Sequence, residues 1–301
     1  MLSNDTKQVW DERKKQIRNN KLRSITLNGR KKVINEYYNY HRGYDVDFNN
    51  PKNFSEKLQV RKLSRNKMYV LCADKDKVRN YVKDKIGEKY LIKQYFSKRK
   101  IKPSDLEKLP NQFAIKTNNA SSTNIIVYDK SKENLQDLCD KMNYYTTINY
   151  GYLWGEFFYT KIPVRIVAEE LLIEDGKLPD DFKIHCFNNG KEKHKFFESF
   201  YTVDGNLMKN IYDENWKRID YSYGYGSDGR KIEKPKQLKE IVEICDKLSE
   251  DFNYVRVDLY IFKDKIYFGE LTFTSGSGFA KFNPDDKDIL WGQYMGEDVY
   301  K

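Results

Sequence analysis

The stretch from Tyr254 to Gly278, YVRVDLYIFKDKIYFGELTFTSGSG, constrains this chain most. Apolar residues alternate with others on both sides of a short polar turn, Lys263-Asp264-Lys265, the pattern of a β-hairpin with one buried face. Asp258 falls in the first run and Glu270 in the second, each within a segment otherwise suited to burial. Desolvating a lone carboxylate is expensive, so two of them on adjacent strands must be paired with cations or bound to a metal. Arg256 precedes Asp258 by two and shares its face of the strand. The turn Ser275-Gly276-Ser277-Gly278 follows and offers backbone N–H groups to an anion. Arg-x-Asp on a strand is also a common ion pair. An ion pair has no need of an anion cradle, however, and the combination favours a site for Mg2+ and phosphate.

Composition narrows the rest. A chain of 301 residues holds one large domain or two modest ones, and 39% hydrophobic residues, with 24 Tyr and 17 Phe, suffice for a core. The formal net charge of +10 suits nucleic acid, an acidic membrane surface or anionic small molecules. The basic residues are mixed with 45 acids, though, and no nucleic-acid-binding motif has the required spacing, so no nucleic-acid partner is expected. Cys72, Cys139, Cys186 and Cys245 lie far apart, form no Cys-x-x-Cys and are expected reduced and buried. The polar N-terminus is not a secretory leader. No apolar run approaches the roughly 20 residues that span a bilayer. The expectation is a soluble, cytoplasmic protein with no transmembrane segment.

Along the chain, residues 5–40 read as a charged helix, and His41 to Lys57 as a loop. Ser55 is the candidate N-cap of the helix that follows. A second helix starts near Asp74, with Val78, Tyr81 and Val82 on one face. Tyr90-Leu91-Ile92 reads as a short strand, and Gln112–Thr117 with Ile125–Tyr128 as a hairpin around a polar, glycine-free tip. A helix is expected from Lys132 to Tyr144, strands at 164–172 and 181–187, and a strongly amphipathic helix at 236–251. Interleaved helices and antiparallel hairpins make the class α+β.

Lys116 sits inside an apolar strand, where an inward lysine needs an anion. An edge-strand lysine facing water is the alternative. The loop Asn118–Asn124, with Ser121 and Ser122, has hydroxyl donors suited to phosphates, and Lys75 lies at the start of a helix. Glu169-Glu170-Leu171 supplies the acceptors an adenine amino group needs. Tyr150, Tyr152 and Trp154 suit stacking on a sugar or ordinary core packing. Asp45-Val46-Asp47 is the only candidate for a sugar-nucleotide Asp-x-Asp, and it falls in a loop.

In this order the pieces resemble the ATP-grasp superfamily and, within it, the TupA-like ATP-grasp family of bacterial surface-polysaccharide genes. The matching stretches are PKNFSEKL (51–58), ADKDKVRNYV (73–82), LPNQFAIK (109–116), NYGYLWGEFFY (149–159), RIVAEEL (165–171) and the segment from Phe252 to Pro284. The resemblance covers roughly residues 50–290. It implies an ATP-grasp fold of two α+β subdomains gripping ATP, with a helical N-terminal extension. The expected division is 1–72 for the extension, 73–168 for the small lid subdomain and 169–301 for the metal and substrate subdomain. It also implies ATP phosphates at Lys75, Lys116, Ser121 and Ser122, adenine at Glu169, Glu170 and Leu171, and the rest of the nucleotide near Asp181 and Lys183. Asp258 and Glu270 correspond to Mg2+ ligands, with Thr272 where the superfamily often has Asn. Arg256 would face the transferred phosphoryl group, and Ser275, Gly276, Ser277 and Gly278 the acyl substrate. Family members carry a His-Gly-Ser-Gly type loop after the strand lysine, whereas this chain has Asn-Ala-Ser-Ser. The implied activity joins an amino acid or small amine to a uronic acid of a capsule or other surface polysaccharide. A non-catalytic binding protein of the same fold and a polysaccharide glycosyltransferase are the alternatives.

Overall fold

The computed structural model describes residues 26–300. The part of the expected N-terminal helix before residue 26 lies outside the described residues. Helix α1 (Leu27–Arg42) starts at the Thr26 cap and ends at Gly43, whose φ of 86° is one a glycine adopts readily. Helix α2 (Phe54–Arg61) is capped by Asn53, two residues before Ser55: Asn53 Oδ1 accepts the Glu56 N–H at 2.8 Å. Ser55 is instead bound through its N–H and hydroxyl to Asp288. Asp47 accepts the N–H groups of Asn49 and Asn50, so Asp45-Val46-Asp47 is a turn element.

Helix α3 (Lys67–Ala73) stops at Asp74, and α4 (Val78–Ile86) follows with Val78, Tyr81 and Val82 buried, as the spacing predicts. A single turn at Glu88–Tyr90 occupies the place where a strand was expected. The true strand β1 (Gln94–Lys98) begins later. It joins β2 (Phe113–Thr117), β3 (Ile125–Val127) and β4 (Ile166–Glu170) in a sheet of order β1-β4-β2-β3, with helix α5 (Leu135–Tyr145) against it. Its core holds Leu106, Phe113, Ile115, Val127, Leu138, Met142 and Ile166.

The second sheet, order β10-β9-β5-β6-β7, contains β5 (Asp180–Asn188), β6 (Lys193–Val203), β7 (Asn206–Asp213), β9 (Tyr254–Phe262) and β10 (Lys265–Thr272), and the short strand β8 (Ser222–Tyr223) pairs outside it with residues 282–283. Strands β6 and β7 have no counterpart in the sequence reading, because Lys, Glu and Asn interrupt their apolar alternation. The signal that marks them is Asp204-Gly205, a hairpin dipeptide with both residues at positive φ. Helix α6 (Leu238–Ser249) leads into β9 and β10. Lys263 and Asp264 turn that hairpin with φ of 51° and 61°. Helix α7 (Asp286–Met295) is the last helix of the described residues.

Period-two alternation splits the large sheet into unlike faces. Ile184, Cys186, Val255, Val257 and Leu259 point to a core shared with α6 and with Tyr69, Val78 and Val82. Thus α4 packs on α6 of the large sheet, tied by the Tyr81 hydroxyl to the Leu248 carbonyl, although it lies in the segment expected to form the lid. Tyr150 and Tyr152 are buried in this same core, so core packing rather than a sugar platform accounts for them. All four cysteines are buried and free. The opposite face carries Asp181, Lys183, His185, Arg256 and Asp258, and its far end packs on α2 and α7 through Phe54, Tyr254 and Trp291. No helix among the described residues is long and apolar enough to cross a membrane.

Candidate functional site

Register across the large sheet assembles the site. Glu270, Asp258, Lys183 and Glu198 are successive partners across β10, β9, β5 and β6, and Thr272, Arg256, His185 and Phe196 form the next row. A regular hairpin would not give this result. Phe268 pairs with Leu259 on the core side, so regular pairing would turn Glu270 to the core side as well. A bulge at Gly269 supplies one extra residue and brings Glu270 opposite Asp258. A Cβ on Gly269 would lie 3.0 Å from the Asp258 carbonyl oxygen and 3.1 Å from the Tyr260 ring, which explains the glycine.

Two carboxylates directly opposite each other repel unless cations intervene. Arg256 donates from Nε to Asp258 Oδ1 at 2.6 Å and from Nη2 to Oδ2 at 2.7 Å. The same Nη2 reaches Glu270 Oε1 and the Thr272 hydroxyl at 3.2 and 3.1 Å. Lys75 lies 3.2 Å from Glu270 Oε2, and Lys183 lies 3.3 Å from Asp258 Oδ2. The ion-pair reading of Arg256-x-Asp258 therefore holds in geometry, yet the pair faces an open cavity. Burial pushes Asp258 up to about 6 against the pull of Arg256 and Lys183. Burial acts the same way on Glu270, but Lys75 and Arg256 outweigh it and hold that carboxyl near 2. Burial disfavours the Arg256 cation, yet Asp258 and Glu270 keep it well above its ordinary range.

Three adjoining cavities surround this charge row. The central one, about 180 Å3, is lined by Lys75, Lys116, Lys183, Asp258, Glu270 and the loop Ala120–Asn124, including Ser121 and Ser122. Lys116, Asn124 and Tyr260 also line a second cavity of about 270 Å3, whose walls include Ala114, Ile126, Leu172, Glu169, Glu170 and Leu171. Its lining combines apolar side chains with the carboxylates of Glu169, Glu170 and Asp181. Asp181 borders it and also a third cavity of about 600 Å3, lined by Lys183, Glu198, Lys209, Tyr223, Tyr225, Arg256, Ser275 and Gly276.

The structure brings most of the expected residues together. Lys116 is ion-paired with Glu169 and lies on a strand flanked on both sides, so it is not an edge-strand lysine. Lys183 bridges Asp181 and Asp258. Ser275 Oγ accepts from Arg256 at 3.2 Å. The glycine turn is divided, however. The carbonyls of Ser277 and Gly278 accept from Gln59 on α2, and a Cβ on Gly278 would lie 2.9 Å from Leu58 Cβ. Of the N–H groups expected to be free for an anion, that of Ser277 donates to the Thr274 carbonyl, and the following Phe279 N–H closes the turn on the Gly276 carbonyl.

Four functional neighbours escaped the sequence reading. Asp74 accepts from Asn118 Nδ2 at 2.7 Å, while the Asn118 carbonyl accepts the Lys75 N–H, so the loops that carry Lys75 and Ser121 are latched together. Glu156 is buried beneath the glycine turn and receives the Thr274 hydroxyl. Burial raises its pKa, opposed by Lys62 and by the hydroxyls of Thr274 and Ser277. Lys209 and Glu198 form a buried pair on the floor of the third cavity. None of these has a sequence signal beyond a polar residue in an apolar setting.

Magnesium prefers oxygen donors, and this row offers them. Asp258 Oδ1 and Glu270 Oε2 each accept one contact, from Arg256 and Lys75, which leaves a carboxylate lone pair on each. The Thr272 hydroxyl donates to Glu270 Oε1 at 3.0 Å and accepts from Arg256. It orders the two ligand candidates even where it is not a ligand itself. The donor set fits a magnesium ion.

A family model described as TupA-like ATPgrasp matches residues 56–296. No curated protein matches the sequence. Among solved structures the chain is similar to a D-alanine–D-alanine ligase from Helicobacter pylori, at 15% identity and a TM-score of 0.45, over 81% of this chain and 68% of that one. It is also similar to a phosphoribosylamine–glycine ligase from Thermotoga maritima, at 14% identity and a TM-score of 0.38, over 73% and 50% of the two chains. A third is a D-alanine–D-alanine ligase from Bacillus anthracis complexed with ATP, at 17% identity and a TM-score of 0.39, over 67% and 55%. The chain thus spans about half the length of the last two.

Proposed function

The chain belongs to the TupA-like ATP-grasp family, and on that premise we propose that it is an ATP-dependent carboxylate–amine ligase. The observation that carries this reading is the bulge-enforced opposition of Asp258 and Glu270 beside a cavity ringed by Lys75, Lys116 and Lys183. A ligand that brings its own phosphates and a divalent cation exchanges partners with these groups without leaving a buried charge unpaired.

A carboxylate is a poor electrophile because its oxygen is a poor leaving group. Attack of the acid's oxygen on the γ-phosphorus of ATP releases ADP and gives an acyl phosphate. The amine nitrogen then forms the C–N bond, the C–O pair leaves with phosphate, and the amine gives up its proton. Positioning and charge neutralisation are what a protein supplies to such a transfer. In this reading the cavity at Glu169, Glu170 and Leu171 holds adenine, and Asp181 holds the ribose. Lys75, Lys116, Ser121 and Ser122 hold the phosphates, and Lys183 releases Asp181 or Asp258 to join them. Asp258 and Glu270, with Thr272 beside them, hold Mg2+, which offsets the phosphate charge when bound. Arg256 faces the transferred phosphoryl group, and Ser275 and Gly276 border the acid. The four-stranded sheet acts as the lid of the 73–168 subdomain over the 169–301 subdomain.

The acid we propose is a uronic acid of a capsule or other surface polysaccharide, free or on a carrier, and the second substrate is an amino acid or small amine. ATP hydrolysis against panels of uronic acids and amines tests this reading, with Asp258→Asn and Glu270→Gln as controls. Turnover that requires both an acid and an amine is expected. Turnover indifferent to either, or unchanged in both variants, overturns it. A binding protein without turnover is the second reading. The observation behind it is that Asp258 is already engaged by Arg256 and Lys183, and it predicts ATP binding with no stimulated hydrolysis.

A further inference from the structure

A cavity of about 680 Å3 lies apart from the charge row, between the start of α1, the α2–α3 connection and the Lys161–Pro163 segment. Arg30, Arg65, Lys67, Lys77 and Lys161 line it. The one acid in the lining, Asp74, is buried and committed to Asn118 Nδ2 and to the N–H groups of Asp76 and Lys77. Among the described residues none of the five cations forms an ion pair. The Arg30 guanidinium lies 4.8 Å from the Phe157 ring centre, and its Nε is buried with no hydrogen-bond partner among the described residues.

Five cations around one concavity repel each other, and the walls strengthen that field. A fixed anion relieves it. Two of the five are guanidinium groups, whose forked donors match phosphate oxygens. The volume is that of a small-molecule site. We propose that this cavity binds a di- or polyphosphate group, as a site separate from the ATP cleft. The proposal does not depend on the ligase reading. Asp74 and Lys75 are consecutive, so one loop borders both sites: Asp74 faces the outer cavity and Lys75 the inner one.

Inorganic pyrophosphate is the probe, titrated calorimetrically without magnesium. The cleft is first disabled by Lys75→Ala with Lys116→Ala, so that remaining binding reports the outer cavity. One equivalent is expected to bind, and adding Arg65→Gln, Lys67→Gln and Lys161→Gln weakens it about tenfold or more. Lys161→Gln alone, at an exposed position, gives a smaller loss and serves if the combined variant folds poorly. Co-sedimentation with phosphatidylcholine vesicles that contain a polyprenyl diphosphate, but not with phosphatidylcholine alone, lost in the same Gln variants, identifies a lipid diphosphate headgroup as the source of the phosphate and also supports the site. No binding once Lys75 and Lys116 are removed, with no vesicle retention, overturns the proposal. So does affinity unchanged by the Gln substitutions.

Discussion

Two basic regions of this molecule handle charge in opposite ways. In the cleft Lys75, Lys116, Lys183, Lys209 and Arg256 are each held against a carboxylate. In the outer cavity Arg30, Arg65, Lys67, Lys77 and Lys161 have no such partner among the described residues. The difference follows burial. A cation on the sheet face is desolvated and must be compensated by the fold itself, whereas exposed Arg65, Lys67, Lys77 and Lys161 remain hydrated. The cleft is therefore pre-organised and nearly neutral, and on the proposed reading a ligand binds there by exchanging partners. The outer cavity is a standing positive field.

Cutting the cleft's charge row should have the largest effect. Asp258→Asn removes a candidate metal ligand and half of the bidentate hold on Arg256. ATP turnover should fall by about 10²–10³-fold, the range for a group acting on developing charge. Stability should fall by less than the roughly 3 kcal/mol of a fully broken buried pair, because neutralising Asp258 also relieves the burial that raises its pKa. Steady-state kinetics and thermal melts check both. A large loss of turnover with an unmoved Tm would mean that the pair is not structural.

Next in size is Gly269→Ala, which asks whether the bulge makes the row. The new Cβ meets the Asp258 carbonyl and the Tyr260 ring. Destabilisation of about 1–3 kcal/mol is expected, with a drop in turnover although no charge has changed. Normal turnover would show that Glu270 does not need the bulge.

A smaller effect separates the floor of the third cavity from both regions. Burial lowers the pKa of His185, which lies 3.1 Å from Glu198. Burial would raise Glu198, but His185 and Lys209 hold it below the ordinary range. Both shifts are downward, so both contribute stability at neutral pH that is lost on acidification. For His185 the loss begins near its ordinary value of about 6.5 and ends at its lower folded value; for Glu198 it begins near about 4.3. Asp258, raised to about 6, works the other way, since its protonation relieves a buried charge. Melts of wild type and His185→Gln between pH 8 and pH 5 isolate the histidine. The variant should lose less stability on acidification, and identical slopes would remove His185 from the account.

The smallest effect belongs to the outer cavity. Arg65→Gln with Lys161→Gln should change stability by less than about 0.5 kcal/mol and leave ATP turnover unchanged. A strong destabilisation would show that these cations have structural partners.

What the sequence revealed divides along the same physical line. Asp258, Glu270, Arg256 and Lys116 stand out because a charge inside an apolar alternation is anomalous, and helix α6 is legible because its stripe is long. Strands β6 and β7 are not legible, since their outward residues are polar and their inward ones include Lys209 and Glu198. Glu270 reaches the site face through a bulge, and alternation alone cannot show that. The split of the Ser275–Gly278 turn depends on Gln59, more than two hundred residues away along the chain and invisible to local pattern.

The central claim is that Asp258 and Glu270 together hold magnesium against a bound nucleotide. Calorimetric titration of a non-hydrolysable ATP analogue, with and without Mg2+, into wild type and Glu270→Gln tests it directly. Wild type should bind about tenfold or more tightly when Mg2+ is present, and Glu270→Gln should lose that gain while keeping its metal-free affinity. An identical magnesium dependence in the two proteins would contradict the claim.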